Sequence, residues 1–419
     1  MINPKRFILR VAIPLPLWQL FDYLPPPDVN LETLAIGVRV TVPFGRREVV
    51  GLLISIQQNT TLEDTQLKSV KTIIDDKPLL TNWQLNFCQW ASDYYHHPIG
   101  EVILGTLPKL LRQGKLITLK KVTSTIVTPC SSSMTLNSAQ QLAVDIITQQ
   151  TDFQVFLLAG VTGSGKTEVY LQCLAKVLAQ NKQALVLVPE IALTPQTVER
   201  FSQRFSVPIA VLHSNLSDQS RAQAWLQAQT GEAKIIIGTR SAILTPPQQL
   251  GIIILDEEHD ASFKQQSGFR YSARDLAVKC AQMLKIPIIL GSATPSLESL
   301  YNVQQNRYRL LSLPTRVGNA LSPTIHMIDI RQQPLTAGIS EKLFNAIDQH
   351  LAEGQQVLLF LNRRGFASTL LCHHCGWMIL CRHCDARLTL HQHPKRLYCH
   401  HCGSHCAVPT LCPECRQAE

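Results

Sequence analysis

The sequence predicts an α/β fold: a parallel sheet carrying a phosphate-binding loop, preceded by a β-rich N-terminal module and followed by a C-terminal metal-binding segment. Three observations carry this prediction. Continuous Val/Ile/Leu runs alternate with helical stretches between about residues 135 and 312, the motif GVTGSGKT stands at a strand-to-helix junction, and four CxxC pairs crowd residues 372–419. Strands that read as unbroken apolar runs separated by helices belong to a sheet covered on both faces.

Length and composition bound the rest. A chain of 419 residues exceeds the about 100 to 200 residues of one domain, so several cores are expected. With 45% hydrophobic and 16% charged residues it is neither disordered nor fibrous. The formal charge of +9 favours a polyanionic partner without identifying one. The first apolar stretch is broken by Arg10, Pro14 and Pro16, and no apolar run reaches the about 18 residues of a membrane span. The expectation is a soluble, cytoplasmic protein with no membrane partner.

In chain order, residues 1–115 open with three β-like runs, RFILRVAIPL, VRVTVPFG and EVVGLLISI, and turn helical at 80–112, where Trp83, Phe87, Trp90 and Tyr94 recur at spacings of three and four. Residues 116–134, ending in TPCSSSMT, read as a linker. Five buried-strand candidates follow in 135–312: FQVFLLAG, ALVLVPE, KIIIGT, GIIILDEEHD and IPIILGSAT. A further strand, QQVLLFLNRRG, is predicted to open a second α/β lobe within 313–371.

The run Gly160-Val161-Thr162-Gly163-Ser164-Gly165-Lys166-Thr167 fits G-x-x-x-x-G-K-[ST]. Its glycines let backbone N–H groups curl around a β-phosphate at a helix N-terminus, Lys166 neutralises phosphate charge, and the Thr167 hydroxyl suits Mg²⁺. A plain Gly-rich turn would need neither Lys166 nor Thr167. Asp256-Glu257-Glu258-His259 closes the apolar run GIIIL and so lies at a carboxyl strand end beside that loop. Alone it would be a solvated turn. With the loop it predicts an ATP hydrolysis site in which Asp256 holds Mg²⁺ and Glu257 orients the attacking water.

Of 13 cysteines, nine follow residue 371, and eight of these form Cys372-x-x-Cys375, Cys381-x-x-Cys384, Cys399-x-x-Cys402 and Cys412-x-x-Cys415. Four pairs suffice for two tetrahedral Zn²⁺ sites, and metal binding would supply the folding energy that so short a segment lacks. Spacing leaves the pairing of the four motifs open. The histidines at 373, 374, 383, 391, 393, 400, 401 and 405 read as surface or DNA-facing residues.

Taken in order, GVTGSGKTEVY, LVPEIALTPQ, GTRSA, DEEH, GSATPS and LFLNRRGF resemble the superfamily-two DNA helicases, and with FDYL, VRVTVPFG, YYHHPIGEV and the four CxxC pairs the chain is similar to their bacterial replication-restart branch. The resemblance implies a RecA-like helicase lobe over 135–312, an incomplete second lobe over 313–371, an N-terminal fork 3′-end DNA-binding domain over 1–115 and a zinc-binding segment over 372–419. Gln140 would read adenine. Pro189, Glu190 and Thr194 with Gly238, Thr239 and Arg240 would lie on the single-strand path, and Gly291 to Thr294 would couple nucleotide state to that path. Residues 263–274 (FKQQSGFRYSAR) resemble an aromatic-rich loop that grips bases, with Phe269 where the family pattern has Trp, and Arg270 beside it. Phe21, Asp22, Gly45 and Lys68 match the pocket for a leading-strand 3′ end. The first CxxC pair would join the fourth, and the second the third, leaving Cys406 spare. Implied partners are forked and single-stranded DNA, other primosome and restart proteins, and single-strand binding protein; the implied activity is ATP-dependent 3′-to-5′ unwinding in replication restart.

Two departures from the pattern shape the alternative. Residues 116–134 are too few for the winged helix expected between the first two domains. The 419 residues also end before the second-lobe motifs that would supply an arginine finger, a group worth about 10³ to 10⁵ in rate, and Arg363 and Arg364 match an earlier motif. The alternative expectation is therefore a catalytically impaired fork-binding adaptor, and a third is a nucleic-acid-dependent ATPase of another superfamily-two branch.

Overall fold

The computed structural model describes residues 7–119, 135–318, 324–331, 333–336, 338–360, 369–384, 387–392, 395–399 and 402–417. Most of the expected linker, Cys130, Arg363, Arg364, His393, His400 and His401 lie outside them. The chain divides into two compact units, Met1–Ala320 and Leu321–Glu419.

The first unit opens with an antiparallel sheet of β1 (Ile8–Ala12), β2 (Phe21–Tyr23), β3 (Arg39–Phe44), β4 (Arg47–Gln57) and β5 (Thr72–Ile73), in the order β2-β1-β4-β3-β5. Leu9, Val11, Val40, Val42 and Leu53 form the core of one face. The helical stretch becomes α1 (Asn82–Tyr95), α2 (Ile99–Thr106) and α3 (Lys109–Arg112). Thr81 and Gln84 close a reciprocal capping box at the start of α1, and His96, in the left-handed region at φ 47°, ends it. The buried Arg39 staples module to helices: its guanidinium pairs with Asp75 at 2.7 Å and donates to the carbonyls of Leu111 (2.7 Å) and Lys115 (3.0 Å).

The second half of this unit runs α4 (Ser138–Gln149), β6 (Gln154–Gly160), α5 (Lys166–Ala179), β7 (Gln183–Leu187), α6 (Pro195–Arg204), β8 (Ile209–Leu212), α7 (Asp218–Gln229), β9 (Ile235–Gly238), β10 (Leu250–Leu255), α8 (Ala273–Leu284), β11 (Pro287–Ser292), α9 (Leu297–Gln304) and β12 (Tyr308–Leu313). Its sheet is parallel throughout, in the order β12-β6-β11-β10-β7-β9-β8. The five expected strands are β6, β7, β9, β10 and β11. Two edge strands, β8 and β12, extend them.

Alternate residues of the central strands face opposite cores. Phe156, Leu158, Ile252, Ile254 and Ile289 pack with α4, α5 and α6, whereas Leu157, Leu185, Ile253, Leu255 and Ile288 pack with α7, α8 and the N-terminal helices. The N-terminal module is thus fused to the second face. Trp225 of α7, 3% exposed, donates its indole N–H to the carbonyl of Thr106 at 2.9 Å, and Lys109 pairs with Asp218 at 3.0 Å.

The second unit holds the hairpin β13 (Leu335–Thr336) and β14 (Ile339–Ser340), α10 (Glu341–Ala352), and an antiparallel sheet of β15 (Thr389–Gln392), β16 (Lys395–Tyr398) and β17 (His405–Cys406). The expected strand at 355–365 is corrected: its described part, 355–360, carries no regular structure and leaves Leu358 and Phe360 exposed. A strand is fixed by a paired neighbour, and no described strand pairs with this run. The described part of 116–134 likewise has no regular structure, but Ile117 and Leu119 pack onto the first-unit core.

No helix of the described residues is long and apolar enough to cross a membrane.

Candidate nucleotide, DNA and metal sites

The loop between β6 and α5 turns because Gly163 (φ 80°) and Gly165 (φ 81°) adopt the left-handed region at little steric cost. Nothing lies within 4 Å of where a Cβ of Gly163 would stand. The first N–H groups of α5, at Lys166 and Thr167, lack intrahelical acceptors by helix geometry and add to the positive end of the helix dipole. They line, with residues 162–165, Glu168, Arg200, Arg204, Asp256 and Glu257, a cleft of about 680 Å³. The buried Ser164 Oγ has no hydrogen-bond partner. Open space beside Gly163, an orphaned hydroxyl and a positive helix end fit a polyphosphate.

The cations and anions of the cleft face one another. Lys166 Nζ donates to the Gly160 carbonyl at 3.0 Å and stands 3.7 Å from Glu257 Oε1. Asp256 and Glu257 follow β10, and Glu257 reaches the cleft through a left-handed backbone (φ 48°), a conformation rare for a residue with a side chain. Burial pushes the Asp256 carboxyl above its ordinary value; the hydroxyl of Tyr170, donating to Oδ1 at 2.8 Å, opposes that rise. Gln140 lines the same cleft. It is 3% exposed, its Oε1 accepts from the Asn137 N–H at 2.9 Å and its Nε2 donates to the Ser164 carbonyl at 2.8 Å. Gln140 thus caps α4 and braces the phosphate loop from within the cleft lining.

Glu258 and His259 tie the acidic motif to GSATPS. The Glu258 side chain, 0% exposed, accepts from the Ser296 N–H (2.7 Å), the hydroxyls of Ser296 (3.0 Å) and Ser299 (2.9 Å), and Arg274 (3.0 Å). His259 Nδ1 lies 2.8 Å from Ser292 Oγ, and its Nε2 3.4 Å from Thr294 Oγ1.

Arg274 closes the aromatic-rich loop, which lies against the N-terminal helices. The ring of Phe269 meets those of Tyr95 (5.7 Å), His97 (5.3 Å) and Tyr271 (4.9 Å). Tyr95 Oη accepts from the Ser272 N–H at 3.1 Å, and Lys264 lies over the Tyr95 ring at 5.3 Å. Arg270 is exposed. Thr239 is only 5% exposed, and Arg240 donates to the carbonyls of Ser262 (2.9 Å) and Lys264 (3.0 Å), so Arg240 anchors the start of the loop. Pro189, Glu190 and Thr194 gather at the carboxyl end of β7, and Gly238 at that of β9.

Phe21 and Asp22 lie on β2, an edge strand. Phe21 meets Phe44 edge-on at 5.4 Å, which places Gly45, in the turn after β3, on the same side. The Leu24 N–H donates to the Lys68 carbonyl at 2.9 Å, bringing the exposed Lys68 alongside. Asp22 Oδ2 accepts from Thr60 at 2.7 Å. Its buried Oδ1 lies 3.3 Å from Arg10 Nε without an aligned hydrogen bond. Arg10, Phe44 and Thr60 were not singled out from the sequence, because each acts across strands rather than along the chain.

In the second unit the eight paired cysteines form two four-sulfur cages, Cys372, Cys375, Cys412 and Cys415, and Cys381, Cys384, Cys399 and Cys402, with all sulfurs of a cage within 4.8 Å. Sulfurs of different pairs approach to 3.5 Å (Cys372, Cys415), 3.7 Å (Cys375, Cys412), 3.5 Å (Cys381, Cys402) and 3.4 Å (Cys384, Cys399). A tetrahedral ion with bonds of about 2.3 Å to sulfur separates its ligands by about 3.8 Å, so the donor sets fit Zn²⁺. The first pair joins the fourth and the second the third. Cys406 is exposed and belongs to neither cage.

Comparison with known proteins finds three family models along the chain. Residues 10–108 match the 3′ DNA-binding domain model of PriA, 137–303 the DEAD/DEAH box helicase model, and 381–406 the Cys-rich region of the PriA DNA helicase. The chain is 40% identical to the replication restart protein PriA of Haemophilus influenzae, over 97% of this chain and 66% of that one. It is 36% identical to that of Rickettsia conorii over 98% and 62%, and 44% identical to that of Bacillus subtilis over 67% and 36%. The chain therefore spans less than two thirds of the length of these relatives.

Proposed function

The chain belongs to the PriA family of replication restart proteins, and on that premise we propose that it is an ATP-dependent DNA helicase acting at abandoned forks. The observation that carries this reading is Lys166, held between the Gly160 carbonyl and Glu257 over a cleft of polyphosphate size. In the proposed site the backbone N–H groups of 163–167 and Lys166 bind the phosphates of ATP. Thr167 and Asp256 would hold Mg²⁺, which neutralises phosphate charge when bound, and Glu257 orients the attacking water. The hydrogen bonds of Glu258 and His259 to GSATPS give the acidic motif a route to the DNA side of the lobe.

Phe21, Asp22, Gly45 and Lys68 are proposed to receive the 3′ end of a leading strand: a ring for the terminal base, a carboxylate for the free hydroxyl, a cation for phosphate. Arg270 and Lys264 would grip single-stranded DNA through its backbone, which makes binding independent of sequence and sensitive to salt. Two Zn²⁺ are proposed in the cysteine cages. Translocation from 3′ to 5′, a cytoplasmic location, and engagement of primosome proteins and single-strand binding protein complete the proposal.

ATP hydrolysis by the 419-residue chain, with and without forked DNA and beside Lys166→Ala, tests it. Fork-stimulated turnover that vanishes in Lys166→Ala is expected. Nucleotide and fork binding without turnover would refute helicase activity for this chain and leave the adaptor reading.

A further inference from the structure

Tyr170 lies on α5, one turn after the phosphate loop, and is 2% exposed. Its hydroxyl donates to Asp256 Oδ1 at 2.8 Å. The direction of this bond is fixed by chemistry, because an ionised carboxylate can only accept. A phenol so deep in a core would otherwise be a costly choice beside its apolar neighbours Val169, Leu171 and Leu174, all in the same cluster.

The third wall of the contact is Gly291, at the end of β11 and the first residue of GSAT. A Cβ on Gly291 would stand 1.7 Å from the Tyr170 hydroxyl, 2.9 Å from its Cζ and 3.3 Å from Asp256 Oδ1. The backbone of β11 therefore leaves a space that the phenol fills, and three segments of the nucleotide lobe converge on one carboxylate oxygen. The phenol on Oδ1 restrains rotation of the carboxyl group, and a backbone hydrogen bond from Glu257 adds to that restraint.

We propose that Tyr170 is a positioning residue for Asp256: its hydroxyl, in the space left by Gly291, holds the carboxylate in the orientation in which it engages a nucleotide-bound divalent cation. This rests on the ATP-site reading above. Partners that orient a ligating group in this way are worth about 10 to 100-fold in metal affinity.

The test is binding of a fluorescent, non-hydrolysable ATP analogue to the full chain, titrated with Mg²⁺. Tyr170→Phe keeps the ring and removes only the donor. The expected result is a Mg²⁺ concentration for half-maximal binding raised about tenfold, with Mg²⁺-free analogue binding unchanged. Gly291→Ala approaches from the other side: its methyl displaces the phenol and should raise the Mg²⁺ requirement too, by a smaller factor in the Tyr170→Phe background than in the wild type. Superimposable Mg²⁺ curves for wild type and Tyr170→Phe overturn the proposal. Equal weakening with and without Mg²⁺ overturns it as well, since that is the mark of a merely structural residue. If the wild type binds no analogue in a Lys166-dependent manner, the ATP-site reading itself fails and this proposal falls with it.

Discussion

Replacing Glu258 by Ala should destabilise the first unit more than any exposed carboxylate substitution, and the size follows from its surroundings. The side chain is 0% exposed and accepts four hydrogen bonds, one from a guanidinium. Removing one partner of a buried ion pair costs about 3 to 5 kcal/mol, mostly because the other is left unpaired. Here the other is Arg274, whose side chain is 21% exposed and also within 3.6 Å of Asp275, so water and that carboxylate recover part of the loss. The two serine hydroxyls can turn to each other, since Ser296 Oγ is already 3.1 Å from Ser299 Oγ. The Ser296 N–H has no such freedom. These considerations place the cost near the lower limit, about 3 kcal/mol, equivalent to a fall of about 4 to 5 °C in melting temperature for the unit Met1–Ala320. Near-ultraviolet circular dichroism, which reports aromatic packing, is the assay. Glu258→Gln should fall between the two, because one oxygen still accepts while the amide N–H₂ faces donors. A shift under about 2 °C for Glu258→Ala would refute the network as a stabilising element.

Three further outcomes are expected. Asp22→Ala should cut discrimination between a free 3′-OH and a blocked 3′ end by about tenfold or more in fork-binding titrations, the worth of one hydrogen bond to a charged acceptor; unchanged discrimination would remove Asp22 from the pocket. Chelation should release two Zn²⁺ per chain and unfold the cysteine segment while Lys166-dependent nucleotide binding persists; a metal count below two would refute the paired cages. Asp256→Asn should raise the thermal stability of the nucleotide-free chain at neutral pH while abolishing Mg²⁺-dependent nucleotide binding. Burial raises the folded pKa of Asp256, so its favourable contribution is complete below its ordinary value near 3.8 and is lost as pH rises through the folded value, leaving a cost at neutrality. The stability gain of Asp256→Asn should accordingly disappear in acid, and a gain that does not depend on pH would refute this cause.

Within the parallel sheet, the strands legible in the sequence were those buried on both faces. β6, β7, β9, β10 and β11 lie inside the sheet and read as unbroken apolar runs, as burial on both faces requires. The edge strands obey a weaker rule. In β12, YRLLSL, Arg309 and Leu310 are exposed, and in β8, IAVL, alternate residues are only half-buried. β2 and β5, at three and two residues, are too short to show any period. The same reasoning explains the failure at 355–360, where an apolar run alone suggested a strand that no described partner completes. Chemistry carried by neighbours in sequence was equally legible: the phosphate loop, DEEH and the CxxC pairs each hold their functional atoms within one turn. Tyr170 and Asp256 are 86 residues apart, and Glu258 and Ser296 are 38, so these bonds exist only once the sheet has assembled.

The aromatic-rich loop, singled out by resemblance, has ring partners within the fold. Rings and cations in FKQQSGFRYSAR suggested a platform for bases, yet Phe269 already has partners on three sides, in Tyr95, His97 and Tyr271. A base that displaced these rings would lose about 0.5 to 1.5 kcal/mol for each ring pair. The exposed Arg270, one residue along, faces no such cost. In this geometry Phe269 fastens the loop to the N-terminal helices, and Arg270 is the exposed cation beside it. The YYHHPIG segment then acquires a reason that its sequence does not state: Tyr95 and His97 form the seat of a loop whose far end, Arg274, grips Glu258 beside the proposed water-orienting Glu257. Three residues of that loop, Phe269, Ser272 and Arg274, thus join the 3′-end module to the acidic motif without passing through the sheet.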